Sequence, residues 1–477
     1  GLAQASHQPV RCVWGDFSPW SECDGCTNNQ TRWRQVLTFP QFGGSECRGS
    51  GFETRSCTSS RGCPLETGCQ DQFRCASGRC VPQELTCNSD EDCEGDNLDE
   101  RNCEQIKPSC DVDQPPPQVE LTGLGYDVVK GAFRGNVLSP KSFGGTCRKV
   151  FNGDNRRFYR LPQSTIKYTF QVTAKSDFTS EIYRSSWDYY TSNTQVRHGK
   201  SRGIFRRRRY HSTTHSSSTA STYKGEQYLW VHSEVAVAQF LTGPVDALSV
   251  STPLWTALSH LPSTYDYSAY RALIEAFGTH YVHSGSLGGR YSLTYILDTA
   301  NMEQEGLTEE IGEYCSSTSV NLLFVSYKDS ACDSHQNSIR RVLKTASGAG
   351  RAVVASVGGS ASALAALSLI DVNNPRANSE VYRRWAASVR QLPVIINQKL
   401  RPLHELVKDG PCAATKRQYL KRAAQRYLAE SDPCHCRPCA NNGRTAVIHR
   451  RCVCLCHPNT AGVACELGRL LHPDNRG

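Results

Sequence analysis

Cysteine is nearly missing from the middle of this 477-residue chain: of 24 cysteines, 13 lie in residues 1–110, eight lie from Cys412 to Cys465, and three fall between. A cysteine-poor stretch of that size needs a hydrophobic core of its own, whereas the short flanks cannot bury enough apolar surface and need covalent staples. Staples persist only in oxidising compartments, so the setting is extracellular. Long apolar runs are missing too. The longest nearly pure one, Ala363–Ile370, has eight residues against the ~20 of a spanning helix, so entry into a bilayer would have to use strands. No Ser/His/Asp arrangement, carboxylate pair or zinc spacing emerges, which argues against an enzyme. No secretory leader opens the chain, and a processed form is expected. The formal charge of +9 is uneven. Arg202 and Arg206–Arg209 form a basic knot and Asp90–Glu104 an acidic one, but few aromatics interleave with the arginines, as a nucleic-acid surface would require.

The length suits two to four domains. Residues 12–63 hold six cysteines, with Trp14, Phe17 and Trp20 three apart and Arg32 and Arg34 downstream. On an extended strand the two arginines share a side, where guanidinium planes stack between aromatic rings. Residues 11–64 resemble a thrombospondin type 1 repeat, with Phe17 in place of the usual middle Trp. The resemblance implies the pairs Cys12–Cys47, Cys23–Cys26 and Cys57–Cys63, and C-mannosylation at Trp20. Asn29-Gln30-Thr31 is a glycosylation sequon. For both modifications the alternative is a bare surface.

Six further cysteines enclose the acidic run Asn88–Glu100. Clustered hard oxygens on a pinned loop suit calcium, the alternative being a solvated acidic loop. Residues 68–104 resemble a low-density-lipoprotein receptor class A module. This implies pairs Cys69–Cys80, Cys75–Cys93 and Cys87–Cys103, with a structural Ca2+ held by side chains of Asn88, Asp92, Asp99 and Glu100 and carbonyls of Leu85 and Asp90. Asn88 stands where Asp is commoner, and one residue is inserted between Cys93 and Asp99.

From Cys110 to Pro433 strand alternation (Tyr168 and Phe170; Tyr291, Leu293, Tyr295 and Leu297) mixes with helical periodicity at Ala269–Phe277, Glu380–Arg390 and Ala413–Ala429. The fold class is multidomain: an α+β core, a bent antiparallel sheet carrying helical clusters, flanked by small disulfide-rich modules. Tyr270, Leu273, Ile274 and Phe277 make one helical face, Gly278 ends that helix, and Gly288-Gly289 relieve crowding where a strand bends. The spelling Tyr270, then Phe277-Gly278-Thr279-His280-Tyr281, then Gly288-Gly289, resembles the signature of the membrane attack complex/perforin family. His280 is expected to be a packed core histidine, not a catalyst. Cys315 and Cys332 are close enough to pair, and the resemblance adds Cys110–Cys147.

Two segments look unlike a stable core. Residues 175–224 run through Arg206–Arg209 into a tract where nine of twelve residues are Ser or Thr. Residues 298–352 mix acidic and apolar stretches. The resemblance implies that both convert from helices to transmembrane β-hairpins. A solvated loop, or a basic protease site at Arg206–Arg209, also fits the first.

Residues 434–466 resemble an epidermal-growth-factor-like module, implying Cys436–Cys452, Cys439–Cys454 and Cys456–Cys465; a tail, 467–477, follows. The crowded spacing disfavours zinc. Cys412 and Cys434 are left over; either they pair with each other or the chain is a shortened form. This module order is that of the terminal complement components. It implies secretion, joining of the complex of activated component five with component six, attachment to the target cell membrane by the two hairpins, recruitment of component eight with the other attack-complex subunits, and cytolysis. A self-sufficient perforin-like pore former and a non-inserting extracellular adhesion protein are the rival classes.

Overall fold

The computed structural model describes residues 7–60, 68–171, 178–183, 185–186, 225–308, 315–324, 332–457 and 460–468. Strands β1 (Asn29–Trp33) and β2 (Phe52–Ser56) pair antiparallel, Asn29 opposite Ser56. Beside them the rings and guanidinium groups alternate: Arg34 lies 4.3 Å from Trp14 and 4.6 Å from Phe17, and Arg32 lies 4.3 Å from Phe17 and 4.7 Å from Trp20. Arg55, unremarked in the sequence, adds a cation 4.1 Å from Trp20.

Strand register also corrects two expected disulfides. It sets Cys57 beside the turn before β1, its amide donating to Asn28 O at 2.8 Å, and Cys57 bonds Cys23. Cys23 therefore does not pair with Cys26, nor Cys57 with Cys63. The 23–26 turn needs no staple, because the Asp24 carboxylate accepts the Cys26 amide at 2.8 Å. Cys26 is itself disulfide-bonded, and Cys63 lies outside the described residues. The structure also joins Cys12–Cys47, Cys69–Cys80, Cys75–Cys93, Cys87–Cys103, Cys110–Cys147, Cys315–Cys332, Cys436–Cys452, Cys439–Cys454 and Cys456–Cys465.

The core continues with β3 (Leu124–Asp127), β4 (Ala132–Asn136), the hairpin β5 (Lys149–Asn152) and β6 (Arg157–Arg160), β7 (Thr165–Phe170), β8 (Thr179–Tyr183) and the long β9 (Glu226–Thr242). Helices α1 (Thr252–His260) and α2 (Tyr267–Phe277) lead into β10 (His280–Asp298). After it come α3 (Thr299–Gln304), α4 (Ser316–Leu323), α5 (Gln336–Gly348), β11 (Ala352–Val354), α6 (Ala361–Leu367), α7 (Pro375–Val389), β12 (Val394–Pro402) and α8 (Ala413–Ala429). One antiparallel sheet of eight strands runs β7–β9–β10–β3–β4, with β8 added to β9 and β11 and β12 added to β10. Among the described residues no helix is long and apolar enough to cross a membrane.

β9 and β10 form the axis, pairing from Glu226 opposite Asp298 to Leu241 opposite Ser284, with an irregularity between Ala236 and Ala238. The alternation in β10 suggests a strand wet on one face, yet Ser292 and Thr294 are as buried as their apolar neighbours. Helices cover one face and Trp230 the other, its indole Nε1 donating to Ser292 Oγ at 2.7 Å.

The chain's first and last modules touch. Gln41 makes a two-way amide pair with the backbone of Arg437, both bonds at 2.9 Å, and Cys452 N donates to Pro40 O. Cys412 and Cys434 are both free and exposed. The 17-residue α8 lies between them, a rod of ~25 Å, so they do not pair with each other; a disulfide needs Cα atoms about 4.4–6.8 Å apart.

Candidate functional site: the bend of the central sheet and the acidic module

The sequence signature folds as a helix welded to the sheet. Asp266 caps α2, its carboxylate accepting from Ser268 N, and Gly278 ends the helix at φ 95°. A Cβ there would fall 2.6 Å from the Tyr126 carbonyl, so both conformation and space demand glycine. Thr279 then clasps β3: its hydroxyl donates to Tyr126 O at 3.1 Å and accepts from Val128 N at 3.1 Å. Its one proton is thereby committed, so the 2.8 Å contact with His280 requires Nδ1–H as donor. Burial, and next the nearby His404, push His280 down to about 4. It is a neutral, packed side chain. Tyr270 and Tyr281 are fully buried in the cluster formed by α1, α2 and α8.

Gly288 and Gly289 lie where β10 changes partner. Up to Gly288 it pairs with β12; a bridge from Arg290 to Val357 follows, and from Leu293 it pairs with β11. A Cβ on Gly288 would sit 1.9 Å from Val235 O, and one on Gly289 2.7 Å from Val389 and 2.9 Å from Trp385. A second glycine pair, missed from sequence, crosses the first: Gly358 and Gly359 have φ of 85° and 81°, and a Cβ on Gly358 would meet Gly288 O at 2.8 Å. Trp385 of α7, fully buried, closes the crossing by donating Nε1–H to Gly358 O at 2.8 Å. Beside the bend, three strands share a polar triangle. Arg290 donates to Glu234 at 2.9 Å and to Asn397 at 3.2 Å, and the Asn397 amide donates to Glu234 at 2.9 Å. No local pattern announces this cluster, since its members are far apart in sequence.

Arg271 is another residue that sequence reading passed over. It reaches Glu430 with two nitrogens at 3.1 Å and Glu275 with a third at 2.9 Å, and lies 5.3 Å from the Trp33 ring. The signature helix is thus tied to the end of α8 and to the amino-terminal module.

In the acidic module, Asp99 accepts from the amides of Asp92 and Cys93, Glu100 from those of Asn88 and Ser89, and the Asn88 amide side chain faces Asp92 at 3.0 Å. Leu85 ends a short turn at residues 83–85. Burial, together with Asp90, Asp99 and Glu100 and against the Asn88 hydrogen bond, pushes the Asp92 carboxyl up to about 6. An all-oxygen set with an under-neutralised buried carboxylate fits a hard cation. Among the described residues, no three carboxylates of this module bring one oxygen each within 4.8 Å of one another.

Comparison with known proteins meets this geometry. The MAC/Perforin domain matches residues 114–437, and the low-density lipoprotein receptor domain class A matches residues 67–103. The chain belongs to the MAC/Perforin family. It is 45% identical over 476 residues to Complement component C7 of Pongo abelii, covering 98% of this chain and 56% of that protein. Against Complement component C7 of Mus musculus it is 46% identical over 471 residues, covering 97% and 55%. Against Complement component C6 of Bos taurus it is 33% identical over 478 residues, covering 96% and 51%. The chain spans about half the length of these relatives.

Within the MAC/Perforin core, the described part of segment 298–352 carries α3, α4 and α5 between the end of β10 and the start of β11. α4 and α5, joined by Cys315–Cys332, lay Leu323, Phe324, Ile339, Val342 and Leu343 on Tyr291, Leu293, Tyr295 and Leu297 of β10. Of the segment 175–224 the structure describes only residues 178–183 and 185–186; Arg206–Arg209 and the Ser/Thr tract lie outside the described residues. Trp20 is half-buried between Arg32 and Arg55, and Asn29 is half-buried at the start of β1.

Proposed function

We propose that the chain is a secreted, non-enzymatic terminal complement component. It joins the complex of activated component five with component six and anchors it to the target membrane by converting residues 175–224 and 298–352 into amphipathic β-hairpins. It then presents the assembly to component eight and the other attack-complex subunits for pore formation and cytolysis. Residues 11–64 and 434–466 are proposed as the thrombospondin-type and growth-factor-like modules, with sugars at Asn29 and Trp20. Leu85, Asn88, Asp90, Asp92, Asp99 and Glu100 are proposed to hold a structural Ca2+.

The observation that supports this reading is the cover on the lower half of β10. The apolar residues there are roofed by short helices whose connecting strands already lie in the sheet, so unrolling α4 and α5 extends existing strands. Arms of ~25 residues reach ~80 Å, well past a ~30 Å hydrocarbon layer. Pairing in a barrel then satisfies every backbone donor and acceptor in lipid.

Liposome flotation of the purified chain, with and without the component five and six complex, tests the reading. Attachment only with the complex is expected. Attachment of the chain alone would favour the self-sufficient pore former, and none in either case would sink the anchor.

A further inference from the structure

The acidic module meets the MAC/Perforin core through a desolvated charge pair. Arg160, at the end of β6, donates NH1 to Asp90 Oδ1 at 2.6 Å and NH2 to Asp90 Oδ2 at 3.0 Å. Its Nε and NH2 also reach Thr146 O at 2.9 and 2.7 Å, and the guanidinium lies 4.1 Å from the Phe143 ring. The two side chains are only 1% and 6% exposed. Two lesser contacts flank the pair: Arg79 donates to Val250 O at 2.5 Å, and Thr252 N in the first turn of α1 donates to Glu94 at 3.0 Å.

We propose that Arg160 is an ion-linked docking residue: divalent-cation binding sets the 88–92 turn so that Asp90 faces Arg160, and loss of the cation loosens the module from the core. This rests on the calcium reading above. In that reading Asp90 has two jobs, its carbonyl toward the ion and its carboxylate toward Arg160. The turn between them is held by the Asn88 side chain, which accepts the Asp90 amide at 2.9 Å. Without a cation, Asp92, Asp99 and Glu100 repel one another on the same loop, and the strain falls on the segment that positions Asp90. Charge does not forbid the pairing. Arg160 neutralises Asp90, and the other three carboxylates remain for a doubly charged ion, Asn88 adding none. A bidentate guanidinium–carboxylate pair is sensitive to such displacement, because a buried charge that loses its partner is costly.

Coupling of this kind is reciprocal. If Ca2+ tightens docking, removing Arg160 must weaken Ca2+ binding by the same factor. The experiment uses the full chain. Amide hydrogen exchange is followed with Ca2+ and with chelator, and Ca2+ affinity is measured by calorimetry for wild type, Arg160→Ala, Arg160→Lys and the exposed control Arg157→Ala. Chelation is expected to speed exchange both in residues 88–100 and at the core amides of Thr146, Arg160 and Leu161, which bond Phe143, Gln114 and Arg148. Arg160→Ala is expected to weaken Ca2+ on the order of tenfold, Arg160→Lys less, and Arg157→Ala not at all. Equal affinity in wild type and Arg160→Ala, or exchange that changes only inside the module, would overturn the link while leaving the calcium reading intact. Failure of the wild type to bind Ca2+ would overturn both. The wild-type exchange comparison decides the matter even if Arg160→Ala does not fold.

Discussion

The two halves of β10 have different covers. From His280 to Gly288 the strand is held by β12, β3 and the signature helix; Thr279, just before it, is clasped to the Tyr126 and Val128 backbone, and His280 bonds the Thr279 hydroxyl. From Gly289 to Asp298 its apolar face is roofed by α4, α5 and α7, and two of those three helices belong to the segment proposed to leave. The upper half therefore has no reason to change when the lower half is uncovered. The proposed conversion of the lower half requires a stiff junction with the upper one, and the glycine crossing under Trp385 is the place proposed for it.

The harshest way to break the division is Gly288→Ala. Its methyl would lie 1.9 Å from Val235 O, so the backbone must part, and a loss of more than about 4 kcal/mol is expected; secretion yield and denaturant unfolding measure it. Trp385→Ala should cost about 3–5 kcal/mol by emptying the space under the crossing. Trp385→Phe, keeping most of the bulk but not the bond to Gly358 O, should cost less, and thermal melts rank the two.

A third change separates the halves functionally. Leu343→Ala in α5 and Leu273→Ala in α2, both nearly fully buried, should each cost about 2–4 kcal/mol. Only the α5 change should hasten liposome attachment in the presence of the component five and six complex. Equal attachment rates would show that the roof is not what limits release.

The smallest expected effect is a pH slope. An unfolded chain protonates His280 near the ordinary 6.5, whereas the folded one waits until about 4. The stability contributed by the neutral ring is complete above pH 6.5 and drains away as pH falls toward 4. His280→Gln should flatten the fall in Tm across that window without abolishing it, because burial also lowers His260, His283 and His404.

Helices were legible where their periodicity was local. Ala413–Ala429 reads directly from its repeat and forms over those residues. Tyr267–Phe277 begins two residues before the expected Ala269, because Asp266 supplies the cap. The expected Glu380–Arg390 begins at Pro375, where Asn374 caps and proline suits the first turn. The upper part of β10 was expected as a strand only from its glycine pair, since Ser284-Gly-Ser-Leu-Gly-Gly289 has no alternation; what holds it is pairing with neighbours on both sides. Gly288 and Gly289 were readable as a place of close approach, but not Gly358 and Gly359, whose role exists only where they cross the first pair. Cys23 and Cys57 were mispaired for a related reason: strand register, not spacing, put them together.

The sequence by itself determined the low-density lipoprotein receptor class A module, the MAC/Perforin core and the signature helix, because each carries its pattern in residues close along the chain. Only the tertiary structure decided which glycines cross, which helices roof the lower half of β10, and that Arg160 meets Asp90 70 positions away. Those depend on close approach in space, and a chain folded by burial brings together residues whose separation in sequence carries no periodic trace.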